Sequence, residues 1–159
     1  MKQKITPHLW FDDDAEAAIA LYTSIFPDSR LVEKRTLDNT GPDRTQSVET
    51  FVFELAGQRS MAINGGKAPF HFNDAISLYV EVDDQAELDR VWNALVTDGG
   101  KPQQCGWITD RFGLVWQVVP DILDPLLADP DTAKADRVMQ AMLSMVKLDF
   151  AGLQAAAAG

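Results

Sequence analysis

The chain has 159 residues, of which 46% are hydrophobic, and its formal net charge at pH 7 is −10. This length and apolar content suit one compact domain, or two fused half-domains that share a core. The acidic charge disfavours nucleic acid and membrane surfaces as partners, because both attract basic patches. The single cysteine excludes an internal disulfide, and no segment resembles a signal peptide or a membrane span, so we expect a soluble, cytoplasmic protein.

The first half of the chain begins with a predicted strand and helix. Residues 4–11 alternate between apolar and polar side chains, as a half-buried strand does. Asp13 and Glu16 have the spacing of a helix-capping box. We therefore assign the acidic run from Asp12 to Asp14 to a helix start rather than to a metal cluster, because carboxylates there complement the helix dipole.

Three strands are predicted after this helix, over residues 30–37, 48–55 and 59–64. The polar loop 38–45 between the first two contains Gly and Pro. Its length leads us to interpret it as a lid over a binding cleft.

The second half of the chain repeats this order of elements. Residues 76–82 alternate again, and Asp84 and Glu87 repeat the capping-box spacing before a second helix. An offset of 71 maps His8 onto Tyr79 and superposes the polar faces of the two strands. A repeat of this length indicates a duplicated half-domain rather than a solenoid.

Residues 105–120, with the sequence CGWITDRFGLVWQVVP, predict the hairpin that completes the second half. Asp110 opens and Gly113 closes its turn. Trp116 and Gln117 point to opposite faces of the second strand, so Trp116 is predicted to lie in the core. An unpaired buried amide costs roughly 1–3 kcal/mol, so Gln117 needs a partner in protein, water or ligand.

The chain is thus predicted to contain a βαβββ module, a linker, a second βαβββ module and a C-terminal helical extension, over residues 1–66, 67–75, 76–120 and 121–159. Together these segments predict one compact α+β domain. In the extension, the apolar face of a helix over residues 132–146 suits core or subunit packing, and the Ala-rich residues 148–159 are expected to fray.

The chain resembles the PhnB-like branch of the vicinal oxygen chelate superfamily in its paired βαβββ modules and in four sequence segments, ITPHLWF, AINGG, AISLYVEV and CGWITDRFGLVWQVVP. This superfamily contains glyoxalases, bleomycin-resistance proteins and extradiol dioxygenases. Many members of the branch carry the description 3-demethylubiquinone-9 3-methyltransferase. The resemblance implies that the two modules form a cupped mixed sheet around a cleft, and that His8, Asn64, Tyr79 and Gln117 face that cleft.

The resemblance also implies where a metal would be held, because metal-using members take their ligands from the first and last strands of each module. Matched by position, these strands supply His8, Tyr79, Asn64 and Gln117 here. Only His8 is a strong donor, since the amides are neutral and the phenol is protonated at neutral pH. Glu54 and Glu81 are candidates for a rearranged site, so the cofactor stays open between a divalent metal and none.

The methyltransferase description has no support in the residues themselves. A nucleotide-type methyl donor is usually held at a Gly-rich turn that joins a strand to a helix in a doubly wound sheet. Here Gly65 and Gly66 lead into the predicted linker, which also contains His71 as a loop residue.

The candidate ligand-binding residues are Trp10, Asn64, Tyr79, Cys105, Trp107 and Gln117. His8 is the candidate catalytic residue, either as a proton carrier or as a residue of the cleft wall. Cys105 is alternatively a small buried apolar residue, because no cation is placed beside it.

Two functions are compatible with these residues. One is a PhnB-like protein with a cleft for a small polar or aromatic molecule. The other is a metal-dependent lyase, isomerase or dioxygenase with a non-standard ligand set. We expect a small-molecule ligand and a homodimer, because superfamily members commonly pair and the predicted Met-rich helix offers an apolar face.

Overall fold

The computed structural model describes residues 3–159, which divide into two units, the first ending at His71 and the second beginning at Phe72. Residues 1 and 2 of the predicted first module lie outside the described residues. The first unit contains β1 (His8–Phe11), α1 (Ala15–Ile25), β2 (Arg30–Thr40), β3 (Gln46–Leu55) and β4 (Gln58–Asn64). The second unit contains β5 (Leu78–Val82), α2 (Gln85–Val96), β6 (Lys101–Pro102), β7 (Trp107–Thr109), β8 (Val115–Pro120), α3 (Leu123–Leu127), α4 (Thr132–Ser144) and α5 (Phe150–Ala158).

Each unit contains a four-stranded mixed sheet, and the two sheets have the same order of strands. The orders are β1-β4-β3-β2 and β5-β8-β7-β6, so the first strand of each unit lies beside the last. That pair is parallel, and the other pairs are antiparallel. The predicted α+β fold of two βαβββ modules is therefore confirmed.

One face of each sheet packs against the helix that follows its first strand. In β3, the alternate residues Phe51, Phe53 and Leu55 are buried, and in β8 Trp116 and Val118 are buried. Burial of a side chain of this size contributes roughly 1.5–3 kcal/mol to folding. The strand alternation therefore determines which face of each sheet is covered by its helix.

The predicted capping box is present at α2 but absent at α1. At α2, the Asp84 carboxylate accepts a hydrogen bond from Glu87 N at 2.8 Å, and Glu87 Oε2 accepts one from Asp83 N at 3.0 Å. At α1, the capping position is Asp14 rather than Asp13, and no side-chain capping bond comes from it.

The start of α1 is instead capped from the sheet. Asn64, the last residue of β4, accepts a hydrogen bond from Ala15 N through Oδ1 at 2.9 Å. Its Nδ2 donates to Glu49 Oε2 at 3.0 Å. A cap supplied across the fold cannot be found from the spacing of residues around the helix start, which is why the sequence misplaces it.

Lys34 holds the same corner of the first unit together. Its Nζ lies 2.8 Å from both Glu16 Oε2 and Glu49 Oε1 and 5.5 Å from the centre of the Phe51 ring. These two carboxylates raise the pKa of Lys34, and Lys34 followed by Asn64 lowers the pKa of Glu49. Glu16 therefore binds a strand lysine and does not complete the predicted capping box.

The predicted bounds of several strands, and of the loop between β2 and β3, are wrong. β1 begins at His8 and β5 at Leu78, later than the alternation indicated. The predicted lid loop shrinks to residues 41–45, because β2 continues to Thr40 and β3 begins at Gln46. A hairpin turn of this length leaves little chain to act as a lid.

The C-terminal extension contains three helices where one was predicted. Asp131 caps α4 and Asp149 caps α5 with their side chains, and Leu153 of α5 is buried. The expected fraying of residues 148–159 is thus replaced by a capped helix. Within residues 3–159 no helix has the length and hydropathy needed to cross a membrane.

The cap formed by Asn64 leads to a stability prediction. Replacing Asn64 with Ala removes the acceptor for Ala15 N and the donor to Glu49, so we expect a loss of about 1–2 kcal/mol in the free energy of unfolding. Urea unfolding followed by far-UV circular dichroism measures this loss.

Asn93→Ala is the matched control for that measurement. Asn93 is exposed on α2, where the replacement should change the free energy of unfolding by less than about 0.5 kcal/mol. Equal stability of Asn64→Ala and Asn93→Ala would contradict the capping role.

Candidate functional site

The hairpin of β7 and β8 is held by one buried carboxylate. Asp110 is only 3% exposed, and its Oδ1 accepts hydrogen bonds from Phe112 N at 2.9 Å and Leu114 N at 3.0 Å. Its Oδ2 accepts a hydrogen bond from Trp116 Nε1 at 2.8 Å. The sequence indicated the turn and the buried Trp116, and both are confirmed, but it did not reveal the bond between Asp110 and Trp116.

The register of the second sheet places three side chains in one row. Tyr79 of β5 and Trp107 of β7 are both paired with Gln117 of β8. Paired residues lie on the same face, and adjacent strands are about 4.8 Å apart. The face that carries Tyr79, Glu81, Trp107 and Gln117 is called the Gln117 face, and it is opposite to the face of Trp116 and Val118.

The Gln117 amide is oriented by the residue that precedes β5. Its Nε2 donates to Ser77 Oγ at 2.7 Å. Among residues 3–159 its carbonyl oxygen receives no hydrogen bond from the protein. The amide therefore presents its carbonyl oxygen as an open acceptor, while one of its two N–H donors is used by Ser77.

Tyr79 is the most accessible member of the row, with 48% of its surface exposed. Partial burial, followed by the negative charges of Asp124 and Glu81, raises the pKa of Tyr79 above its usual value. The phenol therefore remains protonated at neutral pH. Glu81 follows Tyr79 by two residues and shares its face, as the alternation predicted.

The first sheet places His8 and Asn64 on opposite faces, so the prediction that they share a cleft face is wrong. His8 is paired with Met61, whereas Asn64 is paired with Phe11 on the helix side. By register, Met61 is the counterpart of Gln117, because His8 is the counterpart of Tyr79. Asn64 has a structural role as the cap of α1.

Trp10 shares the face of His8, and its ring organises the AINGG segment. Its Nε1 donates to Gly66 O at 3.0 Å, and its ring meets Phe70 edge-on with centroids 5.4 Å apart. A Cβ atom on Gly65 would lie 2.2 Å from the ring, so only glycine fits under it. The two glycines thus serve the packing of Trp10.

His8 is exposed at the edge strand β1. Within the described part of its unit, no hydrogen bond or ion pair orients its ring. The candidate Glu54 is paired with Arg30 at 2.8 Å. His8 therefore lacks the fixed partner that usually sets the tautomer of a ligating or catalytic histidine.

Cys105 lies outside the row, in the single turn Gln104–Gly106 that precedes β7. Its backbone is left-handed, with φ 59°, and its N donates to Met145 O at 2.8 Å. Gly106 N donates in the same way to Val146 O at 2.8 Å. These two bonds attach the C-terminal extension to the chain that leads into Trp107. The Cys105 side chain is a free thiol.

The donor set does not fit a divalent metal. In residues 3–159, no group of three His, Cys, Asp or Glu side chains is placed to hold an ion. The first and last strands supply His8, Met61, Tyr79 and Gln117 at the paired positions. The first unit thus offers one imidazole paired with a thioether, and the second a phenol paired with an amide, and neither pair suits the metals that carboxylate and imidazole sites bind.

A protein-family model described as 3-demethylubiquinone-9 3-methyltransferase matches residues 3–119. The chain belongs to this family. The match includes Tyr79, Trp107 and Gln117 and ends before α3, so the helices α3 to α5 lie beyond it.

Solved structures agree with this assignment. A PhnB protein from Bacillus cereus with the same family description is 33% identical, with a TM-score of 0.65, over 74% of this chain and 99% of that chain. A Pseudomonas aeruginosa protein is 22% identical, with a TM-score of 0.53, over 75% and 98% of the two chains. The fosfomycin resistance protein FosX from Mesorhizobium loti is 14% identical, with a TM-score of 0.51, over 74% and 90%, and shows the fold alone.

No curated protein matches the chain. The family match and the PhnB neighbour confirm the resemblance to PhnB-like proteins that carry the 3-demethylubiquinone-9 3-methyltransferase description.

The bonds of Asp110 generate a prediction about the hairpin. Asp110→Ala removes the acceptor of one buried backbone N–H, one partly buried backbone N–H and one buried indole N–H, so we expect the free energy of unfolding to fall by about 3 kcal/mol or more. Urea unfolding measures this, with Asp136→Ala on the exposed surface of α4 as control. A loss no larger than that of the control would contradict the role of Asp110.

Proposed function

We propose that this PhnB-like protein binds a small polar or aromatic molecule on the Gln117 face. The observation that supports this is the row in which an indole and a phenol flank one amide on three adjacent strands. Small-molecule sites combine apolar or aromatic surface with a few fixed polar groups, and this row has both.

The polar part of the site is preorganised before any ligand arrives. Ser77 holds the amide of Gln117, and the bonds of Asp110 hold the β7–β8 hairpin that carries both Trp107 and Gln117. A fixed acceptor reduces the ordering cost that binding would otherwise have to meet. Rigid aromatic side chains reduce that cost further, because each has few rotatable bonds.

The alternative is an enzyme in which His8 moves a proton or binds a metal. The resemblance motivates it, but His8 lacks an orienting partner in its unit and its paired residue is Met61. The methyltransferase of the family description is a further alternative. Gly65 and Gly66 give it no support, because both are used in the packing of Trp10.

Ligand-observed NMR with phenol, indole and benzamide as probes tests the binding site. We expect at least one probe to bind the untagged protein, and Gln117→Leu to weaken that binding about fivefold, because one net hydrogen bond is worth about 1 kcal/mol. Gln154→Leu, on the exposed side of α5, is the control and should bind like the wild type.

Equal binding by the wild type and Gln117→Leu, or no binding of any probe, would refute the site. Native mass spectrometry on the same preparations addresses the alternative. One divalent ion per chain, lost in His8→Ala, would make the protein a metalloenzyme with an unusual ligand set.

We further propose a cytoplasmic homodimer, in agreement with the single thiol. Met139 and Leu143 are exposed four residues apart on one side of α4, and Val146 is exposed just after the helix ends. A stripe of this kind suits subunit packing. Sedimentation velocity should give a dimer for the wild type and a monomer for Leu143→Asp, and a wild-type monomer would refute the proposal.

A further inference from the structure

We infer that the ligand of the Gln117 face is a protonated amine attached to an aromatic ring. This inference rests on the proposed function and adds the charge of the ligand. The row offers the Gln117 carbonyl oxygen, the Glu81 carboxylate and the faces of two aromatic rings, and each of these groups favours a cation that carries N–H donors.

Glu81 supplies the negative charge on this face. It is paired with Val119 and lies two residues beyond Tyr79, so the two side chains point the same way about 7 Å apart along β5. No salt bridge within residues 3–159 neutralises Glu81. Its carboxylate is therefore available to an ammonium group.

The aromatic rings of Tyr79 and Trp107 come from strands on either side of β8. Twice the spacing between strands puts their Cα atoms about 10 Å apart, with Gln117 between them. A ligand that lies over the Gln117 amide can contact both side chains, and a cation within about 6 Å of a ring centroid is attracted to its face. The Gln117 carbonyl then accepts an N–H of the same ligand, because no group within residues 3–159 donates to that oxygen.

Charges further along the face give the ligand a direction. Lys101 is paired with Thr109, in the row on the other side of Gln117 from Glu81. The amine is therefore expected at the Glu81 end and away from Lys101. Asp124, which belongs to α3 and lies beyond the family match, adds a second carboxylate that acts on Tyr79. The extension thus strengthens the cationic preference of a row that the family segment supplies.

Three probes that share one phenyl ring but differ in charge test the inference: one is a cation, one is neutral and one is an anion. They are phenethylamine, 2-phenylethanol and phenylacetate, titrated into the full chain by ligand-observed NMR at low salt. We expect the amine to bind about tenfold more tightly than the alcohol, and the carboxylate to bind most weakly. Glu81→Gln should reduce the affinity for the amine roughly threefold to fivefold and leave the affinity for the alcohol unchanged.

Asp136→Asn is the control, because it removes one negative charge from α4 without touching the sheet. Asp124→Asn should give a smaller loss than Glu81→Gln. The inference is overturned if the alcohol binds as well as the amine, or if Glu81→Gln and Asp136→Asn have equal effects. In either case, binding of the alcohol that is lost in Gln117→Leu would still support the proposed function, whereas no binding of any of the three probes would contradict both.

Discussion

The parallel pairing of the first and last strands in each unit decides which side chains can act together. Side chains alternate along a strand, so a shift of one residue in this pairing would move every side chain to the other face. With the observed register, Tyr79 is paired with Gln117 and His8 is paired with Met61. The two units therefore have the same topology but different chemistry at equivalent positions. One presents a phenol beside an amide, and the other an imidazole beside a thioether.

The row on the second sheet depends on polar groups that are already satisfied. Asp110 accepts three hydrogen bonds in a buried position, which fixes the turn and the buried indole of Trp116. Because Trp116 and Gln117 are adjacent in β8, fixing one side chain on the core face directs the other to the opposite face. The motif DRFG followed by WQ thus has a physical reason. Asp110 of DRFG stabilises the turn, and WQ places the buried indole of Trp116 next to the amide of Gln117 on the opposite face.

The C-terminal extension bears on the same row from outside the family segment. Backbone bonds join Cys105 and Gly106 to Met145 and Val146, just before the strand that carries Trp107. A Cβ atom on Gly106 would lie 2.7 Å from Val118 O, so the chain passes β8 at a distance that only glycine allows. The extension therefore supports the position of Trp107 and contributes Asp124 to the charge near Tyr79. The segment that matches the family is in this way joined to a region that bonds the chain next to its row.

The sequence by itself determined the repeated order of elements, the capping box of α2, the hairpin turn at Asp110 and the burial of Trp116. Each of these follows from local spacing, because turns, caps and alternation involve residues close together in the chain. It also assigned the family through motifs that lie in those same segments. Only the tertiary structure decided that Asn64 caps α1 and that Met61 is the counterpart of Gln117. Both depend on the register between strands that are distant in the chain, and that register is set by packing across the whole sheet, which no local pattern records.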